Sequence, residues 1–294
     1  MVHLGRRARG VTLRFQVGAR TLATIPRRLR RVALSLDQAL AGHVPALPPL
    51  ADAQGYLVTS VPDGAALDWP GLAFVRQRYD RHYVDLSAGE AAWRAGLSGQ
   101  ARATMRRKAR KLAAAGGGAL DIRRYRTADD LAAFHPPARA VARLTYQERL
   151  LGSALPENAA FQHGREARAW LLFLHGAPVA YLWCGADGDT LRYDYVGHDP
   201  AHHALSPGSV LMEAALVDLF ADRFARFDFT EGEGQHKRTL ASGAVACRDL
   251  ILLPPTLANR AAVGAVGGFD AAMRAAKGWA ERPMLRALAR RVRR

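Results

Sequence analysis

Short runs of apolar residues alternate with polar ones in the N-terminal third of the chain, which predicts strands joined by loops. The runs cover 11–26, 55–62 and 72–87. A proline-rich stretch at 43–50 separates the first two and predicts a loop. This third is therefore expected to be built mainly of β-structure.

The pattern changes to helical spacing over 97–118. Apolar side chains recur there at intervals of three or four residues, and three glycines end the pattern at 116–118. We place a domain boundary at these glycines. The expected division is 1–118, 119–255 and a basic helical tail at 256–294.

From 119 onward, strand and helix patterns follow one another with clear end signals. Thr127 and Asp130 fit a capping box that opens a helix, which Pro136 and Pro137 are expected to interrupt before a second helical stretch at 138–151. An Asp-Gly turn at 187–188 predicts a hairpin between two apolar runs. The predicted strands are 119–126, 169–175, 177–186, 190–198, 226–232 and 247–255, with a helix at 207–223. This order predicts an α+β fold with a mixed twisted sheet flanked by helices.

Composition narrows the class of protein. The chain has 294 residues, of which 49% are hydrophobic and 23% charged, and a length of this size predicts about two domains. Two cysteines are too few for a disulfide framework, so we expect reduced thiols and a cytoplasmic location. The sequence has no pattern typical of a secretory signal or a transmembrane helix.

The net charge of +16 is concentrated in three segments. Residues 1–31, 102–126 and 271–294 are strongly basic, and the remainder of the chain is net acidic. Few aromatic residues are interleaved with the basic runs, so nucleic acid is not the expected partner. The last segment has apolar and arginine positions near helical spacing, which predicts either peripheral contact with an anionic membrane or a helix packed on its own domain.

One loop has the features of a phosphate-binding site. Ser206 suits the N-cap and Pro207 the first position of the helix that follows, and Gly208 lets backbone approach a ligand closely. A helix N-terminus offers free N–H groups and the positive end of the helix dipole to an anion.

The order of elements and several motifs resemble the GNAT acyltransferase superfamily. The resemblance is narrower to its CelD-like acetyltransferase branch, which is related to the Fem-type aminoacyl transferases. It is specific over about 120–253 and loose over 11–118, where it implies a degenerate N-terminal GNAT-like half. The motifs are Thr145–Leu151, Tyr195–Gly197, Ser206–Leu211 and Phe227–Phe229, followed by Gly232, Gly234, His236 and Lys237.

The resemblance implies that an acyl-CoA, such as acetyl-CoA, is the co-substrate. In the superfamily the pyrophosphate loop reads Gln/Arg-x-x-Gly-x-Gly/Ala, and the aligned residues here are His203, Ser206 and Gly208. Gly208 matches that pattern, whereas His203 and Ser206 depart from it, so a carrier-protein or aminoacyl-tRNA donor stays open. The expected donor-binding residues are Val196, His203, Ser206, Pro207, Gly208 and Ser209.

The resemblance also implies direct attack of an acceptor on a thioester. Tyr193 or Tyr195 would protonate the thiolate, and strand alternation is expected to place them on one face. Asp228 or His236 would be the base, and Lys237 would hold an acceptor phosphate or the oxyanion. Tyr195, Asp228, His236 and Lys237 are therefore the catalytic candidates.

The acceptor is expected to be a small molecule or a glycan precursor of the envelope, bound by Arg106, Arg107, Tyr146 and Gln147. No metal is expected, because His198, His202 and His203 have no acidic or thiol partner at ligand spacing. The rival hypothesis is a catalytically inactive GNAT scaffold that binds nucleic acid or anionic membrane through its basic segments.

Overall fold

The structure is a computed structural model, and it describes residues 10–17, 20–145, 148, 155–232 and 234–280. The chain forms two compact units, one of residues 1–78 and 247–294 and the other of residues 79–246. The predicted boundary at 116–118 lies inside the second unit. The GNAT-like character expected of the N-terminal segment stays a prediction.

The first unit contains strands of both directions. β1 (Gly10–Val17) pairs antiparallel with β2 (Arg20–Ala33), and β2 runs parallel to β3 (Gly55–Pro62). The short helix α1 (Leu36–Leu40) follows β2 and has a Ser35 capping box. β3 also pairs antiparallel with a strand much later in the sequence, β10 (Gly243–Leu253).

A long helix, α7 (Leu257–Ala280), follows β10, so the expected helical tail is helical over this range. Residues 281–294, which carry most of the charge of the predicted membrane-binding segment, lie outside the described residues. Among the helices that the structure describes, none is long and apolar enough to span a membrane.

The second unit is a mixed sheet with helices on both faces. Its strands are ordered β4-β9-β8-β7-β6-β5, with β8 and β9 parallel and the other pairs antiparallel. The strands are β4 (Leu72–Asp85), β5 (Asp121–Tyr125), β6 (Ala167–Leu174), β7 (Ala177–Asp187), β8 (Thr190–His198) and β9 (Arg226–Asp228). The helices are α2 (Gly89–Gly96), α3 (Gly99–Ala115), α4 (Ala128–Leu144), α5 (Pro207–Leu219) and α6 (Gln235–Leu240).

Side-chain alternation along β6 and β7 divides the core into two layers. Trp170, Leu172 and Leu182 face α3 and α5 on one side of the sheet. Leu171 and Trp183 face α4 on the other side. Strands buried on both faces read as continuous apolar runs, which is the pattern of 169–175 and 177–186.

Helix α4 continues through Pro136 and Pro137, so the predicted interruption is wrong. Two prolines remove two backbone donors, but the Thr127–Asp130 capping box is formed as expected and fixes the start of the helix. Buried Phe134 and Val141 lie on either side of the prolines and hold both halves against the sheet. This helix ends at Leu144, with Thr145 as its C-cap. Residue 148 is again helical, and the other residues of the predicted stretch beyond 145 lie outside the described residues.

Candidate functional site

A large cleft opens in the second unit, on the side of the sheet that α3 and α5 cover. Its volume is about 1110 Å³, which is sufficient for a cofactor-sized ligand. Parts of α3, β8, α5 and α6 form its walls, together with a 3₁₀ turn at Pro200–Leu205. The lining side chains that bear on the chemistry are Gln100, Thr104, Lys108, Thr145, Tyr193, Val196, His198, His203, Ser206, Gly208, Ser209, Glu213, Gln235 and His236.

A bulge in β8 determines which tyrosine faces this cleft. Tyr195 pairs with Trp183 and Tyr193 with Cys184, so Asp194 is an extra residue between the two pairs. The bulge reverses the alternation, and Tyr193 and Val196 therefore share the cleft side. Tyr195 lies on the opposite face, with its ring centroid 5.6 Å from that of Trp183.

The structure thus separates the two tyrosines that alternation placed together. Tyr195, which the sequence analysis gave as a catalytic candidate, is outside the cleft lining, and Tyr193 is within it. The Tyr193 ring packs among Phe227, Phe229 and His236. Burial raises the pKa of the Tyr193 hydroxyl above its usual value, so the group stays protonated at neutral pH.

Strands β8 and β9 pair over three residues and then separate. The pairing ends at Arg192 and Asp228, whereas β8 continues to His198. Beyond the separation, Tyr193, Val196, Gly197 and His198 line the cleft. The cleft therefore runs along the edge of β8 that β9 leaves unpaired within the described residues.

The loop before α5 reaches the cleft with an unusual backbone conformation. Ser206 takes the N-cap position as expected, but it is left-handed (φ 54°, ψ 46°) and its side chain makes no capping hydrogen bond. This conformation normally favours glycine, which is the residue of the superfamily pattern at this position. The N–H groups of Ser209 and Val210 donate to Ser206 O, and Pro207 has none. The N–H of Gly208 makes no hydrogen bond within the described residues and is available to a ligand.

Two lysines of α3 supply positive charge to this loop. Lys108 Nζ donates to Ser209 Oγ at 3.2 Å, and Lys111 Nζ donates to Ala204 O at 2.9 Å. Sequence reasoning singled out Arg106 and Arg107 on the same helix, but both are exposed and do not line the cleft. Composition was the signal that could have pointed to Lys108 and Lys111, because they are two of only four lysines in the chain.

A pair of histidines adjoins the start of α5. The rings of His198 and His203 stack with a centroid distance of 5.4 Å, and His198 Nε2 lies 3.1 Å from His203 Nδ1. A Cβ built on Gly208 would lie 3.6 Å from His198 Nδ1. Burial, and secondarily the neighbouring His203, lowers the pKa of His198. His203 is thus placed at the loop as predicted, and His198 joins it.

Asp228 is fully buried and does not reach the cleft. Its carboxylate accepts two hydrogen bonds from the guanidinium of Arg81, which is itself buried, and one from the N–H of Thr230. The expected role of Asp228 as a base is therefore not consistent with its position. The sequence analysis missed this because Arg81, the partner of Asp228, lies on β4 and no local sequence pattern connects the two residues.

Lys237 is also absent from the residues that line the cleft. Its ammonium group donates to Phe229 O at 2.8 Å and Glu231 O at 2.7 Å. It therefore holds the loop after β9 and is not placed to bind an acceptor phosphate or an oxyanion. Burial lowers its pKa.

His236, the next residue along, does line the cleft. Its ring lies 6.4 Å from the Tyr193 ring, and desolvation followed by the charge of Lys237 lowers its pKa. The imidazole is therefore largely neutral at pH 7 and able to accept a proton.

The cleft also contains a carboxylate that sequence reasoning missed. Glu213 on α5 is half-buried, and its burial raises the pKa of the carboxyl, although Arg94 at 3.6 Å opposes that shift. Glu213 could have been found from its spacing, because a residue four positions after Ser209 lies on the same face of the helix.

Two predicted acceptor-binding residues, Tyr146 and Gln147, lie outside the described residues. Among the residues that the structure describes, no group of histidine, cysteine or carboxylate side chains is arranged to hold a metal ion.

Comparison with known families identifies the domain that contains the cleft. Residues 99–238 match the model of an acetyltransferase (GNAT) domain. No curated protein matches the chain significantly.

Several solved structures are similar to the chain at low sequence identity. One is the C-terminal domain (DUF2156) of a protein described as a lysylphosphatidylglycerol synthetase, from Agrobacterium fabrum, with 13% identity and a TM-score of 0.51 over 74% of this chain and 71% of that one. L-PGS from Bacillus licheniformis has 10% identity and a TM-score of 0.47 over 83% and 84% of the two chains. A GCN5-related N-acetyltransferase from Kribbella flavida has 15% identity and a TM-score of 0.42 over 70% and 71%. At such identities the likeness concerns the fold.

Proposed function

Since this chain belongs to the GNAT superfamily through its domain at 99–238, we propose that it transfers an acyl group from a phosphopantetheine thioester, such as acyl-CoA, to an amine or hydroxyl acceptor. In this reaction the acceptor attacks the thioester carbonyl. A new C–N or C–O bond forms, the C–S bond breaks, the acceptor loses a proton and the thiolate gains one.

The observation that carries this proposal is the convergence of positive groups on the loop before α5. Gly208, with its free N–H, lines the cleft at the N-terminus of α5, and Lys108 lines it with its ammonium group bonded to Ser209. Together they form a site that suits the pyrophosphate of coenzyme A. Lys108 supplies a positive charge beside Ser209 in this loop.

The open edge of β8 supports the placement of the pantetheine arm. The arm carries amide groups, and an unpaired strand edge offers backbone partners to an extended ligand. An arm running from the phosphate site along Val196 and Gly197 would bring the thioester toward Tyr193.

Tyr193 and His236 are the groups proposed to move protons. Tyr193 is protonated at neutral pH and would donate to the departing thiolate. His236 is largely neutral and would accept the proton of the acceptor amine. Both side chains line the cleft and their rings are neighbours.

The acceptor is proposed from the resemblance of the sequence alone, as a small molecule or a precursor of an envelope glycan. A cytoplasmic location with peripheral contact to an anionic membrane through 271–294 is likewise proposed from the sequence.

Isothermal titration of the purified protein with acetyl-CoA and with a longer acyl-CoA tests the donor. We expect saturable binding that Lys108→Ala weakens about tenfold, because a hydrogen bond from a charged group is worth roughly 1.5–3 kcal/mol. Arg106→Ala is the matched control on the same helix and should leave the affinity unchanged. Absence of binding to either thioester would reject the proposed donor.

A further inference from the structure

We propose that the thioester donor can be presented by an acidic carrier protein, which docks on the exposed arginine face of α3 formed by Arg106, Arg107 and Arg110. This inference rests on the proposed function, since it assumes a phosphopantetheine thioester in the cleft. It adds a partner and its binding surface.

The first support is the uneven distribution of charge in the second unit. Helix α3 contains six basic residues and no acidic one, whereas the rest of residues 79–246 contains more acidic than basic side chains. The net positive charge of the second unit therefore comes from helix α3 alone.

The second support is the state of the three arginines. Arg106, Arg107 and Arg110 are exposed, and their guanidinium groups make no hydrogen bond or ion pair within the described residues. By contrast, Arg124 and Arg168 of the same unit are bonded to carboxylates of Asp218 and Asp222. Three unpaired guanidinium groups within two turns form a surface complementary to clustered carboxylates.

The third support is that Arg107, at one side of this face, borders the stripe of α3 that lines the cleft. Gln100, Thr104 and Lys108 recur every four residues and face the cleft, so one stripe of α3 is part of the cleft wall. Arg107 lies next to this stripe, four residues before Lys111, which contacts the loop at Ala204. A partner that contacts Arg107 would therefore lie at the border of the cleft wall.

The size of the face favours a small acidic protein over an extended polyanion. Arg106 and Arg110 are about 6 Å apart along the helix axis, a length that one turn of an acidic helix would cover. A nucleic acid or a membrane would extend over more of the unit, where the net charge is negative and repels it.

The test compares two donors that carry the same acetyl group, acetyl-CoA and an acidic acyl carrier protein charged with acetyl-phosphopantetheine. Affinities are measured by titration for the wild type and for Arg106→Glu/Arg110→Glu. The matched control is Arg28→Glu/Arg260→Glu, which reverses two exposed arginines of the first unit and changes the net charge equally. Thermal unfolding verifies folding, and Arg106→Gln/Arg110→Gln replaces the reversed variant if that variant unfolds.

We expect the α3 double variant to weaken carrier-protein binding at least tenfold and to change acetyl-CoA binding less than twofold, with the control variant close to wild type. If acetyl-CoA binds but the carrier protein does not, or binds equally well to the α3 variant, the docking proposal is wrong and the proposed function stands. If neither donor binds, the proposed function itself fails. Arginine-dependent binding of total tRNA or of phosphatidylglycerol vesicles, without binding of the carrier protein, would also overturn the docking proposal.

Discussion

Arg81 and Asp228 form a buried ion pair with two hydrogen bonds, Nε to Oδ1 at 3.1 Å and Nη2 to Oδ2 at 2.5 Å. Both side chains are almost completely removed from solvent, at 4% and 0% exposure. The pair joins β4 to β9 next to the point where β8 and β9 separate. It therefore fixes the sheet beside the cleft.

Because removal of one partner leaves a buried charge uncompensated, Asp228→Ala should reduce the free energy of unfolding by about 3–5 kcal/mol. Urea denaturation of the wild type and the variant measures this loss. A variant of unchanged stability that has lost turnover would instead support the base role that the sequence suggested.

Gly208 is predicted to be required for donor binding and not for folding. A Cβ at this position meets its nearest neighbour, His198 Nδ1, at 3.6 Å, which is an ordinary contact. We expect Gly208→Val to weaken acetyl-CoA binding at least tenfold by blocking approach to the N–H group, with little change in melting temperature.

Gly197 provides the contrast for this experiment. A Cβ there would lie 2.5 Å from a ring atom of Tyr181, so Gly197→Ala should lower the melting temperature. Unchanged donor affinity in Gly208→Val would show that the phosphate does not approach this loop.

Tyr193→Phe should lower turnover about 100-fold while leaving donor affinity nearly unchanged, since general acid catalysis typically contributes at least this factor. Tyr195→Phe also removes a tyrosine hydroxyl, but from the opposite face of the sheet, and should retain most of the activity. Steady-state rates with a saturating thioester measure both. Equal losses in the two variants would contradict the assignment made from the β8 bulge.

Donor affinity should increase as the pH falls from about 7.5 to about 5.5, one unit on either side of the ordinary histidine pKa of about 6.5. In the free protein His198 resists protonation because burial, and secondarily the neighbouring His203, lowers its pKa. A bound phosphate favours the protonated imidazole of His198, so binding takes up a proton and is stronger at lower pH.

Titration of acetyl-CoA across this range, in the wild type and in His198→Asn, measures the effect. The variant controls for titration of the ligand phosphate, which occurs in the same pH range. Parallel pH profiles for the two proteins would exclude a role for the histidine pair.

Local sequence signals were sufficient to predict most of the strands and helices of the second unit. The alternation and turn signals of 190–198 reproduce β8, and the Thr127–Asp130 capping box and Pro207 place the starts of α4 and α5. These signals act within a few residues, so the sequence displays them directly. The resemblance to the GNAT superfamily follows from the same order of elements.

The tertiary structure alone decided which side chains meet in the cleft. Arg81 is 147 residues from Asp228, and Lys108 is 101 residues from Ser209, so no local pattern connects them. The single extra residue of the β8 bulge placed Tyr193 and Tyr195 on opposite faces of the sheet. Helix packing brought Lys108 to the loop before α5, while Arg106 and Arg107 stayed exposed to solvent. Strand register and helix packing depend on the burial of many residues that are distant in sequence. These residues meet only in the folded chain, so a local pattern does not show which of them are in contact.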